Sequence, residues 1–334
     1  MPVILSLADV ETLAQACLLA SGASLLQAGA VARSIRAAEA EGTRGIGLGY
    51  LPWYCRHLKV GKIAGHAVPT VQQTAPAMVL VNACDGFAHP AFEAGEAALV
   101  AAVQAQGIAA MGITNAYACG VLGYFTGRLA RQGLVAMMFA NASSTMAPWG
   151  GRTPFFGTNP WSFAAPRRME PLVIDSSSSA TAFVNLATAA ATGAQIPPTW
   201  ALDAEGQPTT DAKAGLAGSI APAGGHKGAA LALMVEVMAA AVTGAHFSHE
   251  ASSLGDDAGG PPRLGQTLIA LRADGLGAAN MVARVEGLLA EMQRQPGVRI
   301  PGERRQANAR RHAADGIVVD DALAATLRGL GGVL

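Results

Sequence analysis

Short apolar runs alternate with longer helix-like segments from about Pro69 to Asn141, and few folds accommodate such a pattern. Runs rich in β-branched and other apolar residues, bounded by turn residues, are typical of strands. Repeated in alternation with segments of helical length, they predict an α/β architecture. The predicted strands are 77–82, 108–113, 135–141, 171–175 and 267–271, and the predicted helices are 94–106, 120–132 and 279–293.

The segments on either side of this region are expected to be mainly helical. Residues 6–42 are predicted to form two helices, with Ser6 as the first N-cap and a break at Ser21. Further helices are predicted to begin near His226 and after Gly302. We therefore expect a helical N-terminal part with an active-site loop, an α/β region, and a C-terminal segment that packs back on the N-terminal part, with bounds 1–68 (loop 42–54), 69–295 and 296–334.

The composition limits the class of protein. Hydrophobic residues make up 51% of the chain and charged residues 14%, so a large core is expected. The 23 basic and 23 acidic residues balance, and without a basic stripe we expect no nucleic-acid partner. Four scattered cysteines suit a reducing compartment, and Asp9 and Glu11 argue against a secretory signal, so we expect a cytoplasmic protein. The most apolar window, 228–247, carries Glu236 near its centre and predicts a buried helix rather than a membrane span.

Two glycine-rich segments differ in what they indicate. The run 45–49 (GIGLG) follows a helix instead of a strand and is followed by Tyr50, so it predicts an ordinary loop rather than a dinucleotide-binding turn. The run 224–228 (GGHKG) leads directly into an apolar helix, where free backbone N–H groups and the helix dipole meet Lys227. It predicts a site for a pyrophosphate or another anion; the alternative is a helix start with solvated side chains.

An acid and a run of hydroxyls follow the predicted strand 171–175. Asp175 and Ser176 to Ser179 stand just beyond its carboxyl end, where ligands bind in α/β sheets. Asp175 is a candidate for a ribose and the serines for a phosphate; a capped helix start explains the same residues. The glycines around 150–152 and 157–160 either approach a ligand closely or only turn the chain.

Several motifs, in order, strongly resemble the type-2 malate/lactate dehydrogenase family, whose relatives include ureidoglycolate dehydrogenase, diketogulonate reductase, sulfolactate dehydrogenase and reductases of cyclic imino acids. These motifs are NAYACGVLGYF at 115–125, FANASSTMAPWGGRTPFFGTNP at 139–160, VIDSSSS at 173–179, IPPTWALDAEGQPTTD at 196–211, GGHKG at 224–228 and IPGER at 300–304. They cover nearly the whole chain.

The resemblance implies a non-Rossmann α/β fold with a mixed sheet, a homodimer, a small-molecule substrate, and NADPH or NADH as the cofactor. It implies no metal ion. The cofactor positions that it implies are Thr158, Asn159, Asp175, Ser177, Ser179, His226, Lys227, Gly228, Gly302, Glu303 and Arg304.

The chain departs from the family pattern in the first loop, which in the family usually reads DSHGVxRLPxY. Its histidine exchanges the proton that accompanies hydride transfer, and its arginine holds the substrate carboxylate. Aligned on Leu51 and Pro52, this chain has Ile46 in place of the histidine and Tyr50 in place of the arginine. A shifted alignment puts Arg44 in the histidine position, so neither register supplies a histidine. A second family histidine is replaced by Ala118.

These losses change the expected chemistry. A positioned acid contributes roughly 10²–10⁴-fold to a proton transfer. Isoleucine carries no proton, and arginine, with a pKa above about 12, is a poor donor. We therefore expect neither ordinary malate nor ordinary lactate dehydrogenase activity.

Three interpretations follow. The first is an NAD(P)H-dependent reductase of an imine or an unusual carbonyl compound, since a protonated C=N bond already carries its proton. The second is a non-redox enzyme on the same scaffold, catalysing cyclisation, elimination, hydration or isomerisation, with the nucleotide lost or not used for redox chemistry. The third is a non-catalytic ligand-binding protein. The catalytic candidates are Arg44, Tyr50 and Tyr117, with Tyr54 and Cys119 as further possibilities; His57, His66, His246, His249 and His312 are interpreted as surface or structural residues.

Overall fold

The computed structural model describes residues 3–277 and 279–332. Its strands are β1 (Val3–Leu5), β2 (Thr70–Ala75), β3 (Met78–Asn82), β4 (Ile108–Ala116), β5 (Leu134–Ala140), β6 (Trp161–Ala165), β7 (Leu172–Ser176), β8 (Ala201–Leu202), β9 (Pro208–Thr209), β10 (Ser219–Ile220), β11 (Leu264–Arg272) and β12 (Ile317–Val319). Its α-helices are α1 (Leu7–Ala20), α2 (Leu25–Ala40), α3 (Leu51–Lys59), α4 (Ala88–Gln106), α5 (Leu122–Arg131), α6 (Phe183–Thr192), α7 (Ala212–Ala217), α8 (His226–Glu236), α9 (Met281–Gln293), α10 (Glu303–Asp315) and α11 (Asp321–Gly329).

A seven-stranded sheet organises the molecule, in the order β2-β3-β4-β11-β5-β6-β7. β3 and β4 run parallel, and the other neighbouring strands run antiparallel. The expected mixed α/β fold is therefore confirmed. Along β5, buried and partly buried residues alternate, as expected for a strand with one face on a core. α4 and α5 supply apolar side chains to the same core as β3, β4 and β5.

The segments of the sheet that had strong apolar runs were predicted, and two strands were not. β2 consists of exposed residues and carries two glutamines, so it gives no apolar signal. β6 is short and begins next to Pro160. Both strands form by pairing with their neighbours in the sheet. β2 pairs with β3, and β6 lies between β5 and β7. Tertiary context, not local propensity, makes these two segments strands.

The N-terminal and C-terminal segments of the described residues pack together through β1 and β12 and through α2 and α10. Ser6 forms the predicted N-cap with a capping box to Asp9, and β1 pairs with β12. At the end of α2, the backbone oxygen of Glu41 accepts a hydrogen bond from Asn308 Nδ2 at 3.1 Å. α10 thus lies against the residues that precede the loop 42–50.

The apolar window 228–247 forms α8 and a following turn of π-helix, Val237–Ala241. Glu236 at the junction is buried and accepts hydrogen bonds from Asn159 Nδ2 (2.7 Å) and from Ser248 N and Oγ (each 2.6 Å). A buried carboxylate with several donors is satisfied inside the protein. Among the residues that the structure describes, no helix has both the length and the apolar character needed to cross a membrane.

Candidate active site

The loop 42–50 wraps around one buried carboxylate. Glu39 is 1% exposed, and its Oε2 accepts hydrogen bonds from Arg44 Nε (3.2 Å) and Nη2 (3.1 Å). Its Oε1 accepts a hydrogen bond from the backbone N–H of Leu48 at 2.9 Å. A Cβ on Gly49 would lie 2.8 Å from the backbone oxygen of Arg44, so this turn requires glycine. The glycines of this loop therefore serve its own close packing, and the charge of Arg44 is offset by Glu39.

The other side of the loop contacts the segment after β4 and the start of α6. A Cβ on Gly120 would lie 3.2 Å from Ile46 Cγ2 and 3.6 Å from Tyr54 Oη. A Cβ on Gly45 would lie 3.4 Å from Val184 Cγ2. Ile46 therefore forms part of an apolar wall. In the alignment on Leu51 and Pro52, this is the position where the family pattern has a histidine.

Tyrosines from α3 and the end of β4 pack together beside this wall. The Tyr50 and Tyr54 rings meet edge to face at 4.9 Å between centroids, and Tyr54 meets Tyr117 at 5.9 Å. Tyr54 and Tyr117 are buried, whereas Tyr50 is partly exposed. Tyr50 is thus the phenol of this cluster that solvent or a ligand can reach.

His57 lies behind Tyr117 and was missed as a candidate. It is 0% exposed, so of the two predicted roles, surface or structural, the surface one is ruled out. Its Nδ1 lies 2.5 Å from Tyr117 Oη, and its Nε2 lies 3.1 Å from the backbone oxygen of Asp256. We call Tyr117 and His57 the phenol–imidazole pair. The one signal in the sequence was the position of His57 three residues after Tyr54, on the same side of a helix.

Lys62 fixes the segment that contacts His57. Its side chain is 0% exposed, and Nζ donates hydrogen bonds to the backbone oxygens of Ser253 (2.5 Å), Asp256 (2.9 Å) and Ala258 (2.6 Å). A buried ammonium group is tolerated when acceptors surround it. Lys62 therefore holds the acceptor of His57 Nε2 in place.

The titration of the cluster follows from its burial. Loss of hydration raises the pKa of Tyr50, Tyr117 and Cys119, that of Cys119 to about 12. Cys119 is therefore a buried thiol and a poor nucleophile. Burial is also the main cause that lowers the pKa of His57, and the ammonium group of Lys62 adds to it.

Three of the predicted cofactor segments meet around Ser178. Its backbone N–H donates to the backbone oxygen of Thr158 (2.9 Å), and its Oγ donates to the backbone oxygen of Asn159 (2.7 Å). Its own backbone oxygen accepts from the N–H of Ala223 at 2.9 Å, just before the start of α8. In the same turn, Oγ of the partly exposed Ser177 lies 2.9 Å from Oγ of the buried Ser179. The structure thus brings together segments that are far apart in sequence.

The side chain of Asn159 is not free to contact a cofactor. It is 0% exposed, and its Nδ2 donates to Ala232 O (2.9 Å) and to Glu236 Oε2 (2.7 Å). The backbone of Asn159 has a positive φ of 41°, which asparagine tolerates better than most residues. Its amide thus anchors the turn at 157–159 to α8.

Asp175 lies beneath the start of α5. Its Oδ2 accepts hydrogen bonds from the N–H of Gly123 (2.9 Å) and from Arg305 Nη1 (3.3 Å). Burial raises its pKa, and Arg305 and the N–H groups lower it in part. This oxygen therefore stabilises the N-terminus of α5, and Arg305, which the sequence analysis did not single out, is its partner.

The predicted residues at the start of α10 lie beside β7. Gly302 is the N-cap, with φ +87°, and a Cβ there would lie 3.0 Å from the backbone oxygen of Val173. Glu303 accepts a hydrogen bond from Gln293 Nε2 at 3.0 Å, and Arg304 is exposed.

The start of α8 has the donor set that an anionic group requires. Its N-cap is Gly225 with φ +69°, and within the described residues no side chain caps it. A Cβ on Gly228 would lie 2.3 Å from Ala223 O, so the turn closes only with glycine. His226 and Lys227 are exposed at this helix end. Free N–H groups, the helix dipole and a lysine together fit a phosphate or pyrophosphate group.

The same fold and comparable sequences occur in known proteins. The crystal structure of delta1-piperideine-2-carboxylate reductase from Pseudomonas syringae pvar. tomato matches with a TM-score of 0.94 and 34% identity, over 98% of this chain and 99% of that chain. (2R)-3-sulfolactate dehydrogenase (NADP(+)) from Chromohalobacter salexigens is 42% identical, over 97% of each chain. Delta(1)-pyrroline-2-carboxylate reductase from Ancylobacter novellus is 39% identical, over 99% of this chain and 98% of that protein.

The fold and the sequence relatives define an enzyme of an oxidoreductase family. Residues 5–328 match the model of the family described as malate/L-lactate dehydrogenase. The chain belongs to this family, which confirms the resemblance found in the sequence.

Proposed function

We propose that this protein is an NADPH-dependent reductase of a small cyclic imine that carries a carboxylate. The observation that carries this proposal is Ile46, packed against Gly120 where the family pattern leads one to expect the proton-donating histidine. In this register the loop supplies no acid for a carbonyl oxygen. An imine nitrogen is more basic and binds a proton before reduction, so it depends less on such an acid.

The residues around the wall suit such a substrate. Ile46 and Val184 are proposed to offer apolar contact to a small ring, and the partly exposed Tyr50 hydroxyl is proposed to interact with a ring nitrogen. Arg44 is proposed to face the substrate carboxylate with the edge of its guanidinium that is not bonded to Glu39. Recognition would therefore combine an apolar wall, one phenol and one partly neutralised cation.

The donor set at the start of α8 supports a retained nucleotide site. His226, Lys227 and the N–H groups near Gly228 are proposed to bind the pyrophosphate. The surrounding positions are proposed to line the rest of the cofactor, through backbone groups where side chains are already bonded: Thr158, Asn159, Asp175, Ser177, Ser179, Gly302, Glu303 and Arg304. Reduced nicotinamide would supply the hydride.

The relatives support both the substrate class and the choice of cofactor. Two of the three relatives described above are named as reductases of cyclic imines, pyrroline-2-carboxylate and piperideine-2-carboxylate. The third is named as an NADP(+)-dependent dehydrogenase of sulfolactate, a hydroxy acid. That 42% relative makes reduction of a 2-oxo acid the second candidate function.

Turnover assays separate these functions from the others. Purified protein is mixed with NADPH and Δ1-pyrroline-2-carboxylate, Δ1-piperideine-2-carboxylate or sulfopyruvate, and NADPH oxidation and product are measured together. We expect one NADPH oxidised for each cyclic imine reduced. Turnover of sulfopyruvate alone would favour the second candidate. Conversion of an imine without NADPH oxidation would favour a non-redox enzyme, and binding without conversion would favour a binding protein.

The homodimer and the cytoplasmic location stay predictions. Apolar side chains are exposed along α8 and the π-helical turn: Leu233, Met234, Val237 and Val242. Such a stripe is unusual on a free helix and is typical of a surface that a second subunit covers. Sedimentation equilibrium is expected to give twice the mass of one chain, and a single-chain mass at micromolar concentration would contradict the dimer.

A further inference from the structure

The guanidinium group of Arg44 is bonded to the protein along only one edge. Its Nε and Nη2 both donate to Oε2 of Glu39, at 3.2 and 3.1 Å. Within the residues that the structure describes, Nη1 and the second N–H of Nη2 have no acceptor. The side chain of Arg44 is 38% exposed. Its free edge can therefore bind an oxyanion with two N–H donors that point the same way.

Glu39 is held rigidly behind Arg44. It lies near the end of α2 and is 1% exposed. Its other oxygen, Oε1, accepts a hydrogen bond from the backbone N–H of Leu48 at 2.9 Å. Both carboxylate oxygens thus have donors from the loop 42–50, which is the condition for keeping a carboxylate buried. The loop therefore fixes the position of this negative charge relative to the guanidinium group.

The two side chains together have no net charge. Arg44 is the only charged residue among those that the proposed function places around the substrate. A ligand carboxylate on its free edge gains from the guanidinium group and is repelled, over a longer distance, by Glu39. A second negative charge on the ligand meets the same repulsion without a cation of its own. A positive charge on the ligand, by contrast, gains from the buried carboxylate.

We propose that Glu39 is a positioning residue that acts through Arg44 and selects a substrate with one carboxylate balanced by a protonated ring nitrogen. This inference rests on the proposed imine reduction. A protonated cyclic imine with one carboxylate has no net charge and matches the neutral Arg44–Glu39 pair. Sulfopyruvate has two negative charges and no positive charge, so the pair disfavours it. Glu39 thus favours the protonated form of the imine, and its effect is separate from the lack of a histidine in the loop.

Three ligands of different charge, none of which reacts with NADPH, test this proposal. They are proline, with no net charge, pyrrole-2-carboxylate, with one negative charge, and 3-sulfolactate, with two. Isothermal titration calorimetry in the presence of NADPH gives their dissociation constants. For the wild type we expect 3-sulfolactate to bind at least about tenfold more weakly than pyrrole-2-carboxylate, because of like-charge repulsion at short range. Equal or tighter binding of 3-sulfolactate would overturn the proposal.

Glu39→Gln removes the negative charge with little change in shape. The glutamine keeps one oxygen for the N–H of Leu48, but its amide nitrogen cannot accept from Arg44. The full charge of Arg44 then acts on the ligand. We expect 3-sulfolactate to bind at least about tenfold more tightly than in the wild type, pyrrole-2-carboxylate to gain less, and proline to gain nothing. A loop that had merely loosened would bind all three ligands more weakly.

Two further variants separate the position of the charge from its presence. Glu11→Gln removes a carboxylate that pairs with Arg36 at 3.0 Å, away from the loop, and should leave all three dissociation constants unchanged. Glu39→Asp keeps the charge and should keep the wild-type order of the three ligands. Weaker binding of all three ligands by Glu39→Gln would overturn the inference, as would the same gain for 3-sulfolactate in Glu11→Gln. If Glu39→Gln does not fold, the order of the ligands in the wild type and in Glu39→Asp decides.

Turnover separates this inference from the proposed function. If the wild type reduces no cyclic imine, the proposed function fails, and the response of 3-sulfolactate binding to Glu39→Gln still decides the role of Glu39. If the imine is reduced and Glu39→Gln does not favour 3-sulfolactate, the function stands and the inference fails. Binding of none of the three ligands by the wild type would contradict both.

Discussion

Lys62 shows how much one buried side chain can stabilise in this site. Its ammonium group satisfies three backbone oxygens of the segment 253–258. Lys62→Met would leave these partly buried acceptors without this partner, at a cost of up to roughly 1–3 kcal/mol each. We expect the free energy of unfolding to fall by about 3 kcal/mol or more in urea denaturation.

The matched control is Lys59→Met, on the exposed last turn of α3. Surface substitutions of this kind usually change stability by less than about 0.5 kcal/mol. Equal stability of the two variants would show that the three hydrogen bonds of Lys62 do not hold the segment 253–258.

Glu41 is expected to destabilise the protein at neutral pH. It is the C-cap of α2, where the helix dipole disfavours a negative charge. Burial raises its pKa above the ordinary 4.5, more than Arg305 lowers it. Because its pKa is higher in the folded than in the unfolded state, this group stabilises the fold below about pH 4 and loses that contribution as pH rises through the folded pKa.

Glu41→Gln should therefore raise the melting temperature at pH 7, and the gain should vanish near pH 4. Differential scanning calorimetry at the two pH values tests this directly. A lower melting temperature at pH 7 would mean that the contact of Glu41 with Arg305, 3.8 Å between Oε2 and Nη1, outweighs its desolvation.

His57 explains why the site was only partly predictable from the sequence. Tyr50 and Tyr117 were found because they stand in or beside motifs of the family. His57 lies outside those motifs, and its partner Asp256 is 199 residues away in the chain. A pattern within one helix cannot reveal a contact over such a separation, so the sequence did not show that His57 is buried against Tyr117.

The start of α8 is the element on which the cofactor proposal depends most. Gly228→Ala would place a Cβ 2.3 Å from the backbone oxygen of Ala223, so the turn that aims the N–H groups must open. We expect the dissociation constant for NADPH to rise at least about tenfold, equivalent to about 1.4 kcal/mol, in isothermal titration calorimetry.

Gly287→Ala is the control for this change. Gly287 lies within α9, and a Cβ there would meet no atom within 4 Å. Alanine in a helix is favoured over glycine by about 1 kcal/mol, so this variant should bind NADPH normally and be slightly more stable. Unchanged NADPH affinity in Gly228→Ala would remove α8 from the nucleotide site.

Elements with a strong local pattern were predicted, and those formed by context were not. β3, β4 and β5 carry apolar runs and were predicted to within a few residues. α6 was not predicted, because its Ala- and Thr-rich sequence has only two buried residues, Leu186 and Ala190. The serine run after β7 indicated a ligand site, but only the fold shows that Ser178 joins the turn at Thr158 to the start of α8.

In the molecule as a whole, the family and the architecture were accessible from sequence because motifs along nearly the full chain keep their order. The arrangement of Ile46, the Tyr117–His57 pair and Lys62 with its three carbonyl acceptors was not, because it combines α3, the end of β4 and the segment 253–258. The proposed preference for an imine depends on this arrangement and not on the fold, which hydroxy-acid dehydrogenases of the family share.

The ratio of kcat/KM for Δ1-pyrroline-2-carboxylate to that for sulfopyruvate, measured with the wild-type protein and NADPH at neutral pH, tests this preference most directly. With no histidine in the first loop, we predict a ratio of at least about 10², the lower end of what a positioned acid contributes to carbonyl reduction. A ratio of one or less would contradict the proposal and identify the protein as a 2-oxo acid reductase.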